Sequence, residues 1–87
     1  MIIALRKEGY QHRDDEAVDA FAAAMKIKLA AARERGRSGW DNTDEDGEGC
    51  SVDFLRRLLR EHVDKGDPID VANIAMFLWH RRAGTKP

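Results

Sequence analysis

The sequence has a single cysteine, Cys50, so no disulfide can form within the chain. One unpaired cysteine fits a reducing compartment better than a secreted one. No apolar run approaches the ~18 residues of a membrane span. The start, MIIALRKEGY, lacks the apolar h-region of a signal peptide. Neither sign of charge is in excess: 15 Lys plus Arg against 16 Asp plus Glu leave a net −1. That balance argues against a strongly basic nucleic-acid binder. Common chemical motifs are missing too. There is no P-loop, no GxGxxG, no CxxC and no HExxH, and His12, His62 and His80 lack metal-ligand spacing.

What remains is one small domain of 87 residues. A chain of this length buries only about 60–65% of the surface that its unfolded form exposes. With disulfides excluded, support for the core has to come from oligomerisation, a metal or a ligand.

Helical spacing dominates the chain. Residues 1–13 are a leader without a clear period, with Ile2, Ile3 and Leu5 as a short apolar arm and Glu8-Gly9-Tyr10 as a turn. Residues 14–35 read as a long helix, because Val18, Phe21, Met25, Leu29 and Ala32 recur at steps of three and four. Asp14, Asp15 and Glu16 at its start and Arg33 and Arg35 near its end complement the macrodipole. Gly36 is a natural stop. Residues 37–49 are an acidic loop rich in Gly, Asn, Asp and Ser. Its Asp44, Glu45, Asp46 and Glu48 lack the alternating ligand spacing of an EF-hand and read as solvated. Trp40 in this loop folds back over a core edge or, if it is not core, offers a face to a base.

Residues 51–65 read as the second helix, capped by Ser51, with Cys50 and Leu55 placed for a hydrophobic staple. Leu55, Leu58, Leu59, His62 and Val63 make its inner face, and Arg56, Arg57 and Arg60 point outward. Gly66 ends it. Residues 68–82 read as the third helix, with Asp67 at the N-cap, Pro68 at N1 and Asp70 at N3. Only Gly66 separates the second helix from that cap, which makes a tight αα-hairpin. Ile69 to Trp79 is apolar almost all round, so this helix should be the central one. The expected class is all-α: a small three-helix domain with a tight αα-hairpin that completes a helix bundle by oligomerisation.

Asp70 and Asn73 are the polar exceptions on the third helix, and their spacing puts them on one face. A buried carboxylate is costly unless it is hydrogen-bonded, paired or metal-bound. The plain reading makes Asp70 part of a capping arrangement with Asp67, and Asn73 a core amide bonded to backbone. The neighbourhood offers more. Glu61 and Asp64 lie three apart at the end of the second helix, as Asp67 and Asp70 do at the start of the third. A tight hairpin can turn these pairs towards each other around Mg²⁺ or Mn²⁺. Otherwise Glu61 and Asp64 pair with arginines on the outer face. His62, beside Glu61, is a helix-interface residue or a general base.

Several stretches carry a family likeness: Phe21-Ala-Ala-Ala-Met25, Lys28-Leu29, Gly36-Arg-Ser-Gly-Trp-Asp41, Cys50-Ser51, then Leu59-Arg-Glu-His-Val-Asp-Lys-Gly-Asp-Pro-Ile-Asp-Val-Ala-Asn73, Met76 and His80-Arg81. Together they resemble the phage and prophage dATP/dGTP pyrophosphohydrolase domain, the MazZ type, within the all-α MazG-like NTP pyrophosphatases. The likeness spans about 60 of the 87 residues. It implies a helical fold that binds a divalent ion through acidic helix residues and cuts NTPs between the α and β phosphates. By position, the family's ExxD-like pair falls on Asp67 and Asp70, with Glu61 and Asp64 as the preceding acidic pair. The chain departs from the pattern in having no EExxE run. Glu16 and Asp19, on the first helix, form another pair with ExxD spacing.

The resemblance thus implies a Mg²⁺- or Mn²⁺-dependent hydrolase that converts dATP or dGTP to dNMP and pyrophosphate in the cytoplasm, of the host if the chain is phage-encoded. Glu61, Asp64, Asp67 and Asp70 would hold the ion, with Asp70 and Glu61 catalytic. Asn73, Lys65, Trp40 and Arg60 would meet the substrate, and Arg56 and Arg57 are further cations for phosphate. A homo-oligomer, dimer or tetramer, is expected, with neither membrane nor nucleic acid as partner. The alternative is a non-enzymatic helical binding module acting on a host or phage protein. In that case Asp67 and Asp70 are caps, and the arginines and the acidic loop are contact surfaces.

Overall fold

Three stop signals and three caps divide the chain into helices. The computed structural model describes residues 11–42 and 50–87. The leader's Ile2, Ile3, Leu5 and Glu8-Gly9-Tyr10, and the acidic run from Asp44 to Glu48, lie outside the described residues. The protein is all-α: α1 (Arg13–Glu34), α2 (Val52–Lys65) and α3 (Pro68–His80) follow in order, and no strand occurs among the described residues. None of these helices is long and apolar enough to cross a membrane.

Each boundary has a local cause. His12 caps α1, its Nδ1 accepting from the Asp14 amide at 2.9 Å. At the other end the Gly36 amide donates to the Arg33 carbonyl and the Arg37 amide to Ala32, with Gly36 at φ +81°. That is a Schellman closure on a residue without the Cβ that would resist it. Ser51 Oγ accepts from the Phe54 amide at the start of α2. Gly66, at φ +88°, closes α2 and turns the chain straight into α3. Asp67 caps α3, Oδ1 accepting from the Ile69 amide at 2.9 Å, with Pro68 following. The third helix ends at His80, two residues before the expected end at 82. Arg82 enters the left-handed region at φ +56°, while the Ala83 amide returns to the Leu78 carbonyl. The helix closes there because Ala83 packs against the core.

The core is small and lies in the hairpin. Leu55 and Leu59 of α2 meet Ile74 and Leu78 of α3, and Leu78 is fully buried. Cys50, Val52, Leu58, Val71 and Phe77 pack around them. Cys50 therefore joins the apolar rim as the staple reading expects. Val63 does not: it is half exposed and lines an open cleft with Pro68, Val71 and Ala72 beside the hairpin turn.

α3 is central, as its all-round apolarity indicates, and packs against both α2 and α1; α1 and α2 do not pack on each other. α1 spans about 33 Å against roughly 20 Å for α3. Its first turns therefore overhang. Residues 11–21 are all exposed, and α1 has no buried residue at all. Of its predicted stripe, Met25, Leu29 and Ala32 are half-buried, but Val18 and Phe21 are not covered.

The loop between α1 and α2 is anchored at both ends. Trp40 stacks on Phe77 at 4.9 Å between ring centroids, nearly parallel. Arg81 Nη1 donates to the carbonyls of both Trp40 and Cys50, each at 2.7 Å. One guanidinium thus pins the segments on either side of the acidic run to the end of α3.

Candidate functional site

The polar residues that the chain brings together sit at the start of α3, where α1 crosses it. Asp67 reaches this place as the N-cap and Asp70 as the residue three further on. Lys28 arrives from α1. Its Nζ lies 2.7 Å from Asp67 Oδ2 and 3.0 Å from Asp70 Oδ1. Behind the ion pair, Asn73 is 5% exposed and donates from Nδ2 to the Met25 carbonyl at 3.3 Å. His62 of α2 faces the same carboxylate, with Nδ1 3.6 Å from Asp70 Oδ2, outside hydrogen-bond range.

Two buried atoms at this spot lack a partner among the described residues: His62 Nδ1 and Asn73 Oδ1. Buried polar atoms are nearly always satisfied, and those that are not call for an explanation. Both flank Asp70, one on its own helix and one across the hairpin. Five polar side chains from three helices thus meet in a molecule whose buried core is otherwise apolar.

The electrostatics follow from the contacts. The hydrogen bond from Lys28 holds the Asp67 carboxyl below the ordinary carboxylate range, and the Ile69 amide adds to the effect. Reciprocally, bonds to Asp67 and then Asp70 raise the Lys28 ammonium above the usual lysine value. Elsewhere, burial pushes the Cys50 thiol up, opposed by Arg81. Cys50 is thus a poor nucleophile, in keeping with its packing role.

The remaining predicted residues lie apart from this cluster. Taking Leu55, Leu59 and His62 as the inward line of α2, Glu61 and Asp64 fall about 120° and 180° round the helix. Both are exposed, and among the described residues no group of three or more His, Cys, Asp or Glu is arranged to hold a metal. The hairpin brings together Asp67 and Asp70 but not the preceding pair. Asp19 accepts from Gln11 at 2.8 Å on the overhang of α1, nine residues and about 13 Å from Lys28, with Glu16 further out. Arg60 donates to the Thr85 carbonyl and Arg56 to Gly84, so both hold the C-terminal segment. Arg57 lies over the Phe54 ring at 5.8 Å. Trp40 is stacked about two helical turns along α3 from Asp70, at the opposite end from the carboxylates. Lys65 is exposed on the last turn of α2.

Lys28 is the residue that sequence reasoning did not place in the site. Its signal was a cation at the border of the α1 stripe, one residue before Leu29, on the helix that must cover an aspartate-bearing neighbour.

No family model matches the chain, and no curated protein and no solved structure matches it either. The likeness to the MazG-like enzymes rests on the residues quoted for it.

The ion pair gives a pH signature with opposite signs at its two ends. Asp67, lowered in the fold, contributes stability above the unfolded aspartate value and loses it as pH falls through its folded value. Lys28, raised in the fold, contributes below the unfolded lysine value and loses it as pH rises through its folded one. The melting-temperature difference between wild type and Lys28→Met should therefore be flat from about pH 5 to 9 and vanish at both extremes. It should also shrink in molar salt, since both partners are well exposed. Melts followed by circular dichroism check this; a difference independent of pH would mean that Lys28 acts through packing.

Proposed function

We propose that the protein is a Mg²⁺- or Mn²⁺-dependent nucleoside triphosphate pyrophosphohydrolase acting on purine dNTPs in the cytoplasm. The observation that carries this reading is the convergence of Asp67 Oδ2 and Asp70 Oδ1 on a single cation, beside the unpartnered His62 Nδ1 and Asn73 Oδ1. The Lys28 ammonium stands where a metal cation would stand. Two carboxylates suit Mg²⁺, which commonly takes one or two from the protein and completes its shell with water and substrate phosphate. The donor set therefore fits through Asp67 and Asp70, without Glu61 and Asp64.

When bound, a divalent ion there supplies charge to neutralise the polyphosphate and lowers the pKa of a coordinated water. The chain's own part is positional. The N-cap bond to Ile69 fixes one oxygen of Asp67 and leaves the other turned to the cation. Asn73, buried and anchored to the Met25 carbonyl, fixes the Asp70 face of α3 against α1. His62 closes the α2 side of the site, its Nδ1 3.6 Å from Asp70 Oδ2.

Pyrophosphate release from dATP and dGTP with Mg²⁺ or Mn²⁺, abolished by EDTA, is the expected result. Asp70→Asn should lower the rate by orders of magnitude while the melt moves little. No release above buffer from folded protein would reject the enzyme and favour the helical binding module on a host or phage protein.

We further propose that the chain works as a homo-oligomer, dimer or tetramer. Val18, Ile27 and Trp79 are each more than 60% exposed, apolar area that a second copy of the chain would cover. A light-scattering mass of one chain, 9.9 kDa, at micromolar concentration would contradict this.

A further inference from the structure

We infer that Lys28 is an exchangeable internal counter-ion. It neutralises Asp67 and Asp70 when no divalent ion is bound, and turns to the substrate phosphates when one is. This rests on the reading of the two aspartates as metal ligands.

Three observations lead there. First, the Lys28 ammonium contacts one oxygen of each carboxylate, at 2.7 and 3.0 Å. Those are the two oxygens that converge, so an ammonium and a metal ion exclude each other at that point. Second, the pair is easily displaced. Lys28 is 44% exposed, Asp67 39% and Asp70 28%. Exposed ion pairs are weak, and lysine is a point charge on a flexible stem. A divalent ion brings twice the charge to the same two oxygens. Third, the displaced ammonium has no distant place to go. Its stem is fixed to α1 where that helix crosses α3, so the charge stays beside the ion that has replaced it. The phosphates carried by that ion are the natural partner for a lysine point charge. Arg56 and Arg60, by contrast, are engaged with the carbonyls of Gly84 and Thr85.

Lys28 is thus a competitor for the metal and a ligand for the substrate, and the two roles respond oppositely to its removal. Free Mn²⁺, measured by electron paramagnetic resonance, gives metal affinity without any turnover. Lys28→Met should bind Mn²⁺ about 3- to 10-fold tighter than wild type, and Lys28→Arg about as wild type does. With Mn²⁺ saturating, a non-hydrolysable α,β-methylene dATP should bind Lys28→Met several-fold more weakly. Circular dichroism establishes that each variant is folded, and Lys28→Gln replaces Lys28→Met if the latter is not. Equal Mn²⁺ affinity in all variants would overturn the exchange while leaving the aspartates as ligands. Tighter Mn²⁺ with unchanged nucleotide binding would overturn the phosphate role. No Mn²⁺ binding by wild type or by Lys28→Met would overturn both this inference and the metal reading beneath it.

Discussion

The contact between Lys28 and the two aspartates joins the first helix to the rest of the molecule. The apolar core belongs to the hairpin, where Leu55 and Leu59 meet Ile74 and Leu78. The first helix has no buried residue, and among the described residues partly covered Ala22, Met25, Leu29 and Ala32 and two polar ties hold it to α3. One tie is Lys28 to Asp67 and Asp70; the other is Asn73 to the Met25 carbonyl. Both ties lie at the candidate site. Whatever occupies the carboxylates therefore acts on the seating of a whole helix, and the seating of that helix acts on the carboxylates.

The start of α3 is a favourable place for such a cluster. Two aspartates three residues apart on one helix face repel each other. At a helix N-terminus the macrodipole and free amides offset that repulsion, and the Ile69 amide bonded to Asp67 is an instance. The cation from α1 completes the balance. Gly66 and Pro68 set the geometry: the glycine permits the abrupt reversal, and the proline starts the next helix without needing an amide partner. The same short turn that makes the hairpin tight thus presents Asp67 and Asp70 to the outside of α3, on the side of α1. It leaves Glu61 and Asp64 on the far side of α2.

Features decided within one or two turns of chain were legible in the sequence. Gly36, Ser51, Gly66, Asp67 and Pro68 punctuate the chain, and each does in the structure what its local chemistry dictates. The central place of α3 also followed from its apolar circumference. Features decided by tertiary contact were harder to read. The partner of Asp67 and Asp70 lies 39 and 42 residues away, on a helix whose stripe did not announce which turn would cross α3. The exposure of Val18 and Phe21 depends on the lengths of two helices, not on periodicity. The end of α3 depends on Arg82 adopting φ +56°, a conformation that its side chain does not signal. The spacing of Glu61 and Asp64 matched that of Asp67 and Asp70, but with His62 on the inner face, as its place in the apolar stripe indicated, the helix turn carries both carboxylates to the exposed side.

The central claim is that Asp67 and Asp70 form a cation site which a divalent ion can take from Lys28. Paramagnetic broadening by substoichiometric Mn²⁺ in an amide nuclear magnetic resonance spectrum tests it most directly. The account requires broadening to be greatest at Asp67, Ile69 and Asp70, to extend to Lys28 and the Asn73 side-chain amide, and to disappear in Asp67→Asn. A maximum on the acidic start of α1, a maximum at Glu61 and Asp64 that survives Asp67→Asn, or no localised broadening at all would contradict it.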